Sequence, residues 1–135
     1  MIKPNSLRAH LTAALPALQV DPDKLLVFID RGSVVATAAP GLSYEYRYTL
    51  SLILTDFADD PDRVMVPLMQ WLSTHQNELL ASPALREQIG FQADLIANDK
   101  VDLEISLPLT ERVIVKQRED GNFDIKHAPE PEQIW

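Results

Sequence analysis

Two long stretches of the chain alternate apolar and polar residues almost without interruption, and this period of two constrains the fold more than any motif does. From Tyr44 the sequence reads YEYRYTLSLILTDF, which sets Tyr44, Tyr46, Tyr48, Leu50, Leu52 and Leu54 against Glu45, Arg47, Thr49, Ser51 and Thr55. From Val101 it reads VDLEISLPLTERVIV, which sets Val101, Leu103, Ile105, Leu107 and Leu109 against Asp102, Glu104, Ser106, Thr110 and Arg112. Side chains on a strand point alternately to opposite faces, so both runs predict half-buried strands. One face of their sheet must be covered, and the other meets water or another chain. Both runs are long for strands, and Pro108 predicts an edge or a bend in the second.

The remaining segments predict helices and short strands around that sheet. A first helix is expected from Asn5 or Ser6, whose side-chain oxygens can cap it, with Leu7, Leu11, Ala14, Leu15 and Leu18 as its apolar stripe. Pro16 should end or bend it near Ala13 to Leu15, because proline supplies no N–H to the helical ladder. Leu25 to Asp30 and Ser33 to Thr37 are read as a hairpin turning at Arg31-Gly32. Asp59, Asp60 and Pro61 introduce a helix carrying Val64, Leu68, Trp71 and Leu72, with Pro67 expected to kink it or detach its first turn. A short helix over Pro83 to Gln88 follows. Phe91, Ala93 and Leu95 then form a strand that turns at Asn98-Asp99-Lys100 into the Val101 run. Glu119-Asp120-Gly121-Asn122 turns the chain again into Phe123 and Ile125. The fold class is α+β: a single, mainly antiparallel β-sheet with helices packed on one face. Residues 1–127 are expected to form one domain, and 128–135, rich in proline and charge, a flexible C-terminal arm.

Composition removes several classes of function. The 135 residues suit one core, and there is no cysteine, hence no disulfide or thiolate chemistry. A net charge of −8 with scattered basic residues opposes specific nucleic-acid binding. No run of about eighteen apolar residues predicts a membrane span. A soluble protein made in a cytoplasm is expected.

No constellation for chemistry emerges. His10, His75 and His127 fall on three predicted elements without metal-ligand spacing, and the acidic residues lie on turns or on the wet faces of strands. Neither a phosphate-binding glycine loop nor a nucleophile turn is present. The expectation is no catalytic, metal or cofactor residue. The tyrosine row shares its face with leucines and reads as packing rather than a base-stacking platform. Ile134 and Trp135 offer a different possibility, an apolar anchor carried on the arm.

Four segments in order, KPNSLRAHLTAALPAL, RYTLSLILTDF, VPLMQWL and SLPLTERVIV, resemble the tail completion protein R (GpR) family of contractile-tailed bacteriophages. The resemblance implies a tail-terminator-like fold and a structural role late in tail assembly. It further implies a hexameric ring on the head-proximal end of the tail tube, which stops polymerisation and prepares head joining. The expected partners are other copies of the chain, tail tube or sheath proteins, and a head-tail connector or second completion protein. The setting would be the host bacterial cytoplasm and then the virion tail. A ring needs one patch to meet a different patch on its neighbour. The polar-face residues Glu45, Arg47, Asp102, Glu104, Thr110 and Arg112 are the candidates for that interface or for the channel. Competing readings are a cytoplasmic adaptor that binds a peptide by strand addition, or a small enzyme with an unfamiliar pocket.

Overall fold

The computed structural model describes residues 1–36, 41–97 and 99–129, and its centre is the sheet that the alternation predicts. Helix α1 spans Lys3–Ala14 and α2 Pro16–Val20, with Leu15 extended between them, so Pro16 ends one helix and begins the next. A 3₁₀ turn at Pro22–Lys24 leads into β1, Leu25–Ala36, followed by β2, Tyr44–Phe57. Then come α3, Asp62–His75; α4, Asn77–Ala81; α5, Pro83–Arg86; β3, Gly90–Ala97; β4, Lys100–Gln117; and β5, Phe123–His127. All strand pairings are antiparallel, in the order β1-β2-β4-β3, with β5 also on β4.

The predicted faces hold. Tyr48, Leu50, Leu52 and Leu54 of β2 and Leu103, Ile105, Leu107 and Leu109 of β4 are buried. Against them pack Leu7 and Leu11 of α1 and Val64, Leu68, Trp71 and Leu72 of α3. Burying large apolar side chains from both layers supplies the main driving force, about 1.5–3 kcal/mol for each side chain fully removed from water. Near the end of β2 the register shifts between Leu54 and Phe57, and Asp56 takes a φ of 51°. The extra residue turns Phe57 into the core, and Asp102 Oδ1 accepts the Asp56 N–H at 3.0 Å.

Three local expectations are corrected. The first helix starts at Lys3, without a side-chain cap on its first turn. Ser6 lies inside it, and its hydroxyl accepts the Trp71 indole N–H at 3.0 Å. No hairpin forms at Arg31-Gly32. Gly32 does not take a positive φ, and β1 runs through it as one strand. The 14-residue β2 is long enough to pair with both halves, and the register shift between Ile29 and Arg31 accommodates the extra residue. At Pro67 the first turn is not detached: α3 runs as one helix from Asp62 to His75, with the proline inside it and buried. The expected anchor residues Ile134 and Trp135 lie outside the described residues.

Candidate functional site

The second edge of β4 is interrupted. Its first half pairs with β3 through Ser106 and its last part with β5 from Val113, so Leu107 to Arg112 face neither strand. Side chains from α1 and from the junction between α3 and α4 fill this gap. Thr110 donates its backbone N–H to Gln76 Oε1 at 3.1 Å, and its carbonyl accepts from Lys3 Nζ at 2.6 Å. Gln76 Nε2 donates to the Thr110 hydroxyl at 3.0 Å, while Lys3 also donates to Gln76 Oε1 at 2.6 Å. The Gln76 amide thus stands where a neighbouring strand would, which removes the cost of unpaired backbone groups. Pro108 falls in the same gap, where its missing N–H breaks no ladder bond.

Beside Thr110, the carboxylate of Glu111 is 3% exposed on the apolar face. It accepts the Ile2 N–H at 2.8 Å and the Tyr48 hydroxyl at 2.6 Å. His127 Nδ1 lies 3.2 Å from it without the alignment of a hydrogen bond. Burial, and secondarily the bond to the Glu111 carboxylate, raise the Tyr48 phenol well above its ordinary pKa. A single side chain therefore joins the chain's first residues to β2 and β5. The strand period marks Glu111 as inward-facing, since it is in phase with Leu107 and Leu109. Nothing in the sequence singles out Gln76 or Lys3, because a gap between strands is visible only in three dimensions.

The predicted polar-face residues form two groups. Glu45 pairs in register with Arg112 and Arg47 with Thr110, and the Arg47–Glu45 ion pair measures 2.9 Å. Toward the other end of the sheet, Asp102 holds the Asp56 bulge, and Glu104 accepts a 3.2 Å bond from Ser51. The first group lies beside a cavity of about 400 Å³ whose walls include Arg31, Arg47 and Thr49 of the sheet and Leu79 and Leu85 of the short helices. Among the described residues, no three side chains converge as metal ligands. The three histidines stay apart: His75 stacks on Trp71 with ring centroids 4.8 Å apart, His127 lies by Glu111, and His10 is on α1.

Large apolar side chains are exposed on both outer edges of the sheet. On β1, Leu26 is 48% and Phe28 42% exposed, on the polar face. On the opposite side, Phe91 of β3 is 68% and Leu95 84% exposed, and Ile125 of β5 is also exposed. Surface this apolar, on strands whose far sides carry no partner among the described residues, is the form of an interface and a liability in an isolated chain.

A family model described as P2 phage tail completion protein R (GpR) matches residues 1–131. The chain is similar to the tail completion protein R of Escherichia phage P2, with 41% identity over 132 residues, 97% of this chain and 84% of that protein. No solved structure matches it.

Proposed function

The chain belongs to the P2 phage tail completion protein R (GpR) family, a family of structural phage tail proteins, and from that premise we propose that it completes the tail as a ring at the head-proximal end of the tail tube. The ring ends tube polymerisation and prepares head joining. It acts through surfaces and uses no catalytic group. The observation that carries the ring is the pair of apolar edges on opposite sides of one sheet: β1 with Leu26 and Phe28, and β3 with Phe91 and Leu95. Two different patches on one molecule make a heterologous contact, and a heterologous contact closes into a ring when its rotation permits. The β1 edge of each copy meets the β3 side of the next.

Glu45, Arg47, Thr110 and Arg112 border that contact or the channel, while Asp102 and Glu104 act chiefly by holding the bulge and Ser51. Residues 1–127 form the ring domain. Its partners are further copies, the tube or sheath below and the connector or a second completion protein above. Assembly takes place in the host cytoplasm, and the product is part of the virion tail.

Electron microscopy of particles made without this protein tests the reading. Tails of abnormal length are expected if it terminates the tube, and normal tails lacking heads if it acts only in joining. Normal, head-joined tails would contradict a completion role.

A further inference from the structure

We infer that β3 of one copy adds to β1 of the next as a further strand of the sheet, with Phe91 seated in a notch at Gly32; this rests on the ring reading above and fixes the register of its contact. Gly32 lies inside β1 without a positive φ, so the backbone does not call on its conformational freedom. A Cβ there would meet Tyr48 Cβ at 3.4 Å and the Arg47 carbonyl at 3.7 Å, so crowding within the molecule does not require glycine either. What the missing side chain leaves is a cavity of about 180 Å³ on the edge strand, with Ile29, Val34, Tyr46 and Tyr48 among its walls. A cavity of about 150 Å³ holds benzene, so the notch has room for one phenyl ring. Glycine within a strand commonly marks a place where another chain comes close.

The side chain that fits is on the other rim. Antiparallel pairings link β1 to β2, β2 to β4 and β4 to β3, so a copy set edge to edge with the same face inward brings an antiparallel β3 to β1. Phe91 and Ala93 pair with buried Ile105 and Leu103, and Gly32 pairs with buried Tyr48, so all three lie on the helix-side face. Set Phe91 opposite Gly32, and let Asp30 be passed over as it is against β2. Ala93 then falls opposite Ile29 and Leu95 opposite Val27, each row matching a larger side chain with a smaller one. A shift of two residues either way sets Phe91 against Ile29 or Val34 and leaves the notch unfilled, and a shift of one turns it to the polar face. The charges agree with this register. Asp94 stands directly opposite Asp102, a like-charge pair, and neither they nor Arg31 have an ion-pair partner among the described residues. Arg31 of the adjoining copy would lie opposite Gln92 and diagonal to Asp94, within reach of its carboxylate.

The chain has no cysteine, so disulfides report introduced pairs alone. Directly opposed residues of an antiparallel pair have Cα atoms roughly 4.5–5.5 Å apart, within the range of about 4.4–6.8 Å that a disulfide spans. Particles carrying Gly32→Cys with Phe91→Cys in one chain should, on mild oxidation, yield a series of disulfide-linked copies on a non-reducing gel. Gly32→Cys with Ala93→Cys or with Leu95→Cys should not. No linkage through position 91, or linkage through 93 or 95 in its place, would overturn the inference. A volume swap decides the matter where the cysteine chain forms no particles. Gly32→Leu fills the notch and should lower the yield of head-joined tails about tenfold without lowering the melting temperature of the isolated chain, and Phe91→Ala in the same chain should restore the yield. Equal losses in the single and double variants would overturn the inference. The completion role is scored separately, on particles made without the protein, so a missing disulfide or a failed swap removes the register and leaves that role in place.

Discussion

The two edges of this sheet are treated in opposite ways. Where β4 lacks a neighbour, at Thr110, the chain brings in Gln76 and Lys3 to satisfy both backbone groups and buries Glu111 beside them. Where β1 ends the sheet, there is no such cover among the described residues, and Leu26 and Phe28 stand exposed. That contrast supports the proposal that the β1 edge, with its exposed Leu26 and Phe28, is the assembly surface. The closed edge should govern stability, and the open edges the joining of subunits.

That contrast can be broken at several points, beginning with the core beneath both edges. Leu52→Asp places an unpaired charge where the side chain is fully buried and should cost several kcal/mol, enough to unfold the domain. An unchanged melting temperature would contradict the register of β2. At the closed edge, Glu111→Ala strips the Ile2 N–H and the Tyr48 hydroxyl of their acceptor and should cost roughly 3 kcal/mol in chemical denaturation. Gln76→Ala should cost about 2 kcal/mol, since the Thr110 N–H and the Lys3 ammonium lose the same oxygen. If either variant is as stable as the parent, the gap is not closed as described.

A smaller effect concerns pH. The folded state holds the Tyr48 phenol neutral, whereas the unfolded chain releases that proton near its ordinary pKa of about 10. Above that pH the unfolded state binds fewer protons, so stability falls as pH rises, by about 1 kcal/mol near pH 11. Tyr48→Phe should lose this alkaline component. Parallel stability curves for the two proteins between about pH 9 and 11 would show that the phenol is not held neutral by the fold.

How much was legible in the sequence follows from which features are periodic. The alternation placed the core faces of β2 and β4, and Pro16 placed the break between α1 and α2, because both are local rules of backbone geometry. The same alternation marks Glu111 as inward, yet its partners come from Ile2, Tyr48 and β5, distant in sequence, so its role was not visible. Arg31-Gly32 misled because a turn dipeptide turns only when its flanks pair with each other, and here β2 pairs with both. The polar-face candidates Glu45, Arg47, Thr110 and Arg112 do gather in one patch, as cross-strand register requires, while Asp102 and Glu104 lie apart from them. The exposed residues of the outer edges follow the same alternation as buried ones, and only the finished topology shows which strands are left at the rim.

The most direct measurement changes the open edge alone. Leu26→Lys and Phe28→Lys should each leave the melting temperature of the isolated protein nearly unchanged, within about 0.5 kcal/mol of stability. Placed in the phage, the double variant should yield few completed, head-joined tails when particles are counted by electron microscopy, since charged side chains would block the contact between β1 and the next subunit. Completed tails at the parental yield, from a double variant that folds normally, would contradict the claim that this edge is the assembly surface.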